Sequence, residues 1–299
     1  MRVLAVGEVL WDVFPEQELL GGAALNFCAN LNRFGASARL FSAVGDDERG
    51  RRICERMSDL GLVADFVQQT DVSTGVAIVS KDSRGEPSFL IQRPAAYDRV
   101  PLNPELLQRI AAFDPEWIYL GTLFHTEAAN EATTVALLEA FPAARVFYDM
   151  NLRTGHWNID LVRRFCTLAT ILKLNEHEVH TLASAEGMDT AALSLESFCE
   201  QIARSFDIST ICITLGARGC FVYKEGRGSQ LPGYAATVRD TVGAGDAFAA
   251  AFLHAYHAGS TMAEAAQLAN AAGAIVAGRA GATPAWEPAE CAALIRQNR

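Results

Sequence analysis

Ala23-Ala24-Leu25-Asn26-Phe27-Cys28-Ala29-Asn30-Leu31-Asn32-Arg33-Phe34-Gly35-Ala36-Ser37-Ala38-Arg39-Leu40-Phe41-Ser42-Ala43-Val44 reads as a helix followed by a strand. Ala24, Phe27, Leu31 and Phe34 recur at spacings of three and four, and Gly35 stands where a left-handed residue ends a helix. The apolar run Ala38 to Val44 then fits a buried strand. The same unit repeats outward in both directions. Strands are expected at Arg2 to Val6, Trp117 to Leu120, Arg145 to Met150, Thr170 to Leu174 and Thr210 to Leu215. Helices are expected near Asp47 to Leu60, Glu127 to Ala140, Leu193 to Phe206, Asp246 to His257, Met262 to Ala277 and Pro288 to Arg296. Such alternation predicts an α/β fold with a mostly parallel sheet covered on both faces.

One stretch breaks the rhythm. Between Val63 and Val100 two extended runs, Gly75 to Lys81 and Ser88 to Arg93, flank the turn-forming Asp82-Ser83-Arg84-Gly85-Glu86-Pro87. A β-excursion early in an α/β chain reads as a lid over the strand ends where such sheets bind ligands; the plainer reading is an edge hairpin. The expected division places 1–10, 36–62 and 101–299, with a helix over 22–35, in one large α/β nucleotide-binding domain, and 11–21 with 63–100 in a β-lid.

Composition narrows the function. The 299 residues carry 25 Lys+Arg against 35 Asp+Glu, a net charge of −10, which argues against nucleic acid or an anionic membrane as partner. No apolar run has the length of a spanning helix, and Glu8 and Asp12 interrupt any signal core near Met1, so the expectation is a cytoplasmic protein. Seven scattered cysteines without a C-x-x-C pair read as reduced core thiols. The P-loop pattern G-x-x-x-x-G-K-[ST] is absent, and the late Gly243 and Gly245 lack the third glycine of a dinucleotide fingerprint, where Phe248 stands.

Chemistry concentrates in Asp240-Thr241-Val242-Gly243-Ala244-Gly245-Asp246, a small-residue turn opening an alanine-rich helix. A helix start offers free N–H groups and the positive end of the dipole to an anion. Gly243, Ala244 and Gly245 keep side chains clear of it, and Asp246 is placed to accept the proton of an attacking hydroxyl. A plain turn with Asp240 or Asp246 as a cap is the competing reading. Upstream, Gly21-Gly22 precede a helix with Asn26 one turn inside it, and Asp12 follows the first strand. Asn26 and Asp12 suit the hydroxyls of a polar ligand. Asp149-Met150-Asn151-Leu152-Arg153 and Lys173-Leu174-Asn175-Glu176-His177-Glu178 crowd polar residues at strand ends. Asn175 and Glu178 suit either a magnesium ion held through water or a helix cap with acidic first-turn residues.

The Gly21-Gly22-x-x-x-Asn26 segment and the Asp240 to Asp246 segment together resemble the two signature regions of the PfkB (ribokinase-like) carbohydrate kinases. Early strand, Gly-Gly helix, β-lid, N-x-x-E, Thr214-Leu215-Gly216-x-x-Gly219 and the late Gly-Ala-Gly-Asp follow the family's order across nearly the whole chain. The resemblance implies a three-layer α/β/α sandwich with a small β-sheet lid, and ATP-dependent phosphorylation of a sugar hydroxyl. It makes Asp246 the base and Gly243, Ala244 and Gly245 the anion hole. Asp12, Gly21, Gly22 and Asn26 would hold the sugar, and Asn175 and Glu178 would organise Mg²⁺ and phosphate. Thr214, Gly216, Gly219 and Asn270 would line the nucleotide. Asp240, the Val242 carbonyl and the stretch around Gly281 match the groups that hold a monovalent cation such as K⁺ in relatives, although Ala285 replaces a serine found in some. Gly7 to Pro15, Asp149-x-Asn151-Leu152-Arg153 and Gln92 to Asp98 look most like bacterial fructokinases. Arg153 would also suit the carboxylate of 2-keto-3-deoxygluconate, which makes that kinase the alternative, ahead of a ribokinase-type enzyme. A sugar or nucleotide sensor without catalysis is the reading from a different class. The apolar lid residues Val76, Ile78, Phe89 and Ile91 suggest a homodimer paired through the lids.

Overall fold

In the computed structural model, residues 1–81 and 87–298 are described, with residues 81 and 87–89 described by backbone alone. Thirteen strands and ten helices form among them. The strands of the first half are β1 (Arg2–Val6), β2 (Leu10–Val13), β3 (Glu18–Gly21), β4 (Ser37–Gly45), β5 (Val67–Thr70), β6 (Gly75–Lys81) and β7 (Pro87–Ile91). Those that follow are β8 (Trp117–Gly121), β9 (Arg145–Asp149), β10 (Ile171–Asn175), β11 (Thr210–Thr214), β12 (Cys220–Lys224) and β13 (Arg227–Leu231). The helices are α1 (Ala23–Arg33), α2 (Glu48–Asp59), α3 (Pro104–Phe113), α4 (Ala128–Ala140), α5 (Ile159–Leu168), α6 (Glu176–Ala185), α7 (Leu195–Phe206), α8 (Ala244–His257), α9 (Met262–Ala277) and α10 (Pro288–Gln297).

Nine strands make one sheet in the order β13-β12-β11-β10-β9-β8-β1-β4-β5. From β11 to β5 the neighbours are parallel, and β12 and β13 add an antiparallel edge. Strand β1 shows why the sheet is sandwiched. Val3 and Ala5 point into a core shared with α1, α2, α8 and α9, whereas Leu4 and Val6 point into one shared with α3 to α7. All four are fully buried, as a two-sided parallel strand requires. The architecture is therefore the three-layer α/β/α sandwich.

A second sheet, β3-β2-β6-β7, stands apart. Its two faces divide by the alternation of strand side chains. Leu10, Asp12, Ala77 and Ile91 lie on the face that lines a cavity, and Trp11, Val76, Ile78 and Leu90 share the other. On that outer face Arg52 of α2 lies over the Trp11 ring at 4.4 Å, and Glu18 of β3 pairs with Arg49 and Arg52 at 2.6 and 2.7 Å. The small sheet is thus fastened to α2.

Several expectations need correction. Val67–Thr70, inside the stretch 63–100 assigned to the lid, pairs with β4 and is the edge strand of the main sheet. Ile91 faces the cavity and Val76 is buried, so of the four residues offered as a lid surface only Ile78 is seen exposed. The Phe89 side chain and the turn at 82–86 lie outside the described residues. The β12–β13 hairpin, absent from the strand–helix reading, turns on Glu225 and Gly226, both with positive φ, as a two-residue hairpin loop demands. Of the seven cysteines six are buried and Cys54 is exposed.

Candidate active site

A cavity of about 340 Å³ opens at the C-terminal ends of the parallel strands, the place where open α/β sheets bind ligands. Glu8 beyond β1, Asp149 at the end of β9, Asn175 at the end of β10 and Thr214 at the end of β11 contribute from the sheet. Gly22, Ala23 and Asn26 contribute from the start of α1, and Thr241, Val242, Gly243, Gly245 and Asp246 from the start of α8. Leu10, Asp12, Ala77 and Ile91 close it from the small sheet, and Asn151 and Arg153 from the loop after β9.

The α8 terminus is built by close approach. Gly243 is its N-cap with φ +80°, and a Cβ there would lie 2.1 Å from the Ala282 carbonyl oxygen, so only glycine fits. No side chain caps the helix, which leaves its first turn to a ligand. Ala244 differs from expectation: its amide donates to the Thr241 carbonyl at 3.3 Å and the residue does not line the cavity. The Asp246 carboxylate accepts a 2.8 Å hydrogen bond from Asn26 Nδ2. Burial pushes the Asp246 carboxyl up to about 7, the neighbouring Asp149 charge adds to this, and Asn26, Lys173 and Arg153 oppose it. Asn26 Oδ1 is buried with no partner.

Asn175 and Glu178 form a capping box on α6: Asn175 Oδ1 accepts from the Glu178 amide at 3.0 Å and Glu178 Oε2 from the Asn175 amide at 2.8 Å. Glu178 Oε1 accepts from the Leu152 amide at 2.8 Å, which ties the loop carrying Arg153 to α6. The helix-cap reading is thus the one observed, and these capping residues also line the cavity. Beside them Lys173 Nζ donates to both oxygens of Asp149, at 2.8 and 2.9 Å, and Tyr119 Oη donates to Asp149 at 3.2 Å. Desolvation opposes the Lys173 ammonium, but the carboxylates of Asp149, Glu178 and Asp246 outweigh it and raise the pKa above the usual lysine value.

On the small-sheet side, burial raises the Asp12 carboxyl to about 6, with Arg153 pulling it back. Gly21 does not line the cavity; a Cβ on it would lie 2.5 Å from Asp12 Oδ2, so this glycine makes room for the Asp12 carboxylate. Glu8 is buried and accepts from the Ala23 amide at 3.0 Å, with its pKa raised by desolvation.

The expected residues thus divide. Asp12, Gly22, Asn26, Arg153, Asn175, Glu178, Thr214, Val242, Gly243, Gly245 and Asp246 converge on one cavity. Gly216, Gly219, Asn270, Asp240 and Gly281 do not line it. Gly219 is packed against the end of β13, and Asn270 donates from α9 to the Pro232 carbonyl at 3.0 Å. Asp240 staples two loops by accepting from the Val242 and Gly281 amides, each at 3.0 Å. Glu8, Lys173, Asp149, Asn151 and Thr241 line the cavity although the sequence reading gave them no individual role. The one signal for Lys173 is a charge set among apolar strand residues, Ile171-Leu172-Lys173-Leu174.

Residues 8–289 match the model of the pfkB family carbohydrate kinases. A fructokinase of Klebsiella pneumoniae is 29% identical over 266 residues, covering 84% of this chain and 83% of that protein. An aminoimidazole riboside kinase of Salmonella typhimurium is 29% identical over 303 residues, covering 95% and 91%. A crystal structure of fructokinase with bound ATP from Xylella fastidiosa superposes with a TM-score of 0.88 at 23% identity, covering 99% of this chain and 98% of that one, and so shares the ribokinase-like fold. With the family matched across the cavity from Glu8 through Asp246, the chain belongs to the pfkB family of carbohydrate kinases and is an ATP-dependent sugar kinase.

Proposed function

We propose that this kinase phosphorylates a neutral ketohexose, fructose, with Asp246 as the base. The observation that carries this reading is the polarity of the cavity: five carboxylates, Glu8, Asp12, Asp149, Glu178 and Asp246, face two cations, Arg153 and Lys173, and Lys173 is already paired with Asp149. An uncharged polyol can exchange hydrogen bonds with these carboxyl groups and donate to the unpartnered Asn26 Oδ1, whereas a sugar acid, with Lys173 already paired, would rely on Arg153 to offset its charge. The similarity to fructokinases points the same way.

In this scheme Asp12, Gly22 and Asn26 hold the sugar with one hydroxyl toward Asp246. The Asp246 carboxylate, half ionised near neutral pH and oriented by Asn26, takes the hydroxyl proton as the oxygen attacks. The amides at the start of α8 face the equatorial oxygens of the phosphoryl group, and such positioning with charge stabilisation is most of what phosphoryl transfer requires. Thr214 flanks the nucleotide. A hydrated Mg²⁺ suits Asn175 and Glu178, because each Glu178 oxygen accepts one amide and keeps a lone pair. Bound there, it would neutralise phosphate charge. Potassium is given no part in the transfer: Asp240 and Gly281 do not line the cavity, and Ala285 brings no hydroxyl. Ile78 and Leu90, opposite each other on the outer face of the small sheet and 38% and 65% exposed, are proposed to pair two copies.

The test is a panel of fructose, ribose, aminoimidazole riboside and 2-keto-3-deoxygluconate with ATP and Mg²⁺. Fructose should give the highest kcat/KM; preference for the acid sugar would transfer the assignment to that substrate through Arg153, and no turnover with any of them would remove the proposed reaction.

A further inference from the structure

Lys173 and Asp149 are cross-strand neighbours in register on β10 and β9, both nearly out of solvent, with 8% and 1% of their side chains exposed. A buried ion pair is a poor way to stabilise a fold, since apolar residues of similar volume usually serve as well or better. Here the pair also lines the cavity. Its geometry is directional. The Asp149 carboxylate accepts from Lys173 Nζ on both oxygens and from Tyr119 Oη on one, while the ammonium, with three donors, places two on Asp149. The ammonium lies against the first turn of α8, where a Cβ added to Gly245 would sit 3.6 Å from Nζ. The ammonium and the start of α8, through Gly243, Gly245 and Asp246, border the same cavity.

We propose that Lys173 is a further catalytic residue, whose ammonium, held by Asp149 beneath the first turn of α8, donates its third N–H to the phosphoryl group as it passes from ATP to the sugar. This role rests on α8 being the site of transfer. A rigidly aimed charge that meets the phosphoryl oxygens only as their charge redistributes acts on turnover more than on ground-state affinity.

Three variants, D149N, K173R and the pair-neutralising K173M/D149N, are compared with wild type for kcat, for the KM of each substrate, for melting temperature, and for affinity toward ADP with aluminium fluoride and sugar, a mimic of the planar phosphoryl group. K173M/D149N should melt near wild type, keep both KM values within about threefold and lose kcat by on the order of 10² or more, with a parallel loss of affinity for the mimic. D149N and K173R, which keep a cation, should lose less than about tenfold by the same logic. A double variant with kcat within about threefold of D149N, or one that does not fold, would overturn the catalytic assignment, the latter because structure alone then explains the pair. Wild-type turnover on the panel with an inactive D246N separates failure of this inference from failure of the proposed reaction.

Discussion

Asn26 on α1 donates its side-chain amide to the carboxylate of Asp246 on α8 across 220 positions of sequence, leaving its own carbonyl oxygen buried without a partner. The residue assigned to the sugar and the residue assigned to the proton are thereby one hydrogen-bonded unit.

Removing either half should separate chemistry from nucleotide binding. D246N is expected to lower kcat by on the order of 10² or more with ATP affinity little changed, as for loss of a general base. Steady-state kinetics with calorimetric ATP titration would check this, and a D246N enzyme turning over at near wild-type rate would end its role as base.

The Asp246 carboxyl, raised to about 7 chiefly by burial, makes two pH predictions. A base must be deprotonated, so kcat/KM should climb as pH rises through about 7. For stability the sign is opposite. The folded protein binds this proton more tightly than the unfolded chain, so the contribution is present below the ordinary Asp value of 3.8 and is lost as pH rises through about 7. D246N should therefore gain melting temperature over wild type at pH 8 and gain little at pH 4; equal gains at both would refute the linkage.

Gly243 and Gly281 both have φ near +80°, but their surroundings differ. A methyl on Gly243 meets the Ala282 carbonyl at 2.1 Å, whereas one on Gly281 meets nothing within 4 Å. G281A should cost about 1 kcal/mol through backbone conformation alone. G243A should cost more and should also reduce turnover, because the N-cap of α8 must shift. Chemical denaturation of both variants tests the ordering.

Arg153 lines the cavity and acts on the Asp12 carboxyl. R153A should raise the KM for sugar about tenfold, the scale of a charged hydrogen bond, with little change for ATP. A larger effect on ATP than on sugar would move Arg153 to the nucleotide.

Replacing Ile78 and Leu90 with serine should yield monomers if the outer face of the small sheet is the contact. Light scattering at assay concentration reads this directly. Wild type that is already monomeric would dismiss the lid dimer.

Strong periodicity made much of the fold legible: Arg2–Val6 and Met262–Ala277 fall where the sequence placed them. Helices α3 and α5 went unread although each buries an apolar stripe, Leu106 and Ile110 in one and Leu161, Val162, Phe165 and Cys166 in the other, and the start of α6 was read only as one of two roles for Asn175 and Glu178; all three are announced by an asparagine cap. Asn103, Asn158 and Asn175 each accept from the amide three residues on, at 2.8, 2.9 and 3.0 Å. Edge strand β5, Val-Gln-Gln-Thr, has no apolar pattern because one of its sides is solvent. In the site, residues next to glycine turns were legible since the turn itself points to a close ligand. Lys173 was not, because a charge inside an apolar strand acquires meaning only from the neighbour that the register supplies, here Asp149.

The fastening of β3 to α2 through Glu18, Arg49 and Arg52 has a mechanical consequence. The small sheet is held to α2 at its β3 margin, while β7 forms the opposite border, with Ile91 on the cavity face and Arg93 just beyond it bonded to the Leu123 carbonyl. High salt, which screens these partly exposed charges, should therefore weaken the hold of α2 on the small sheet.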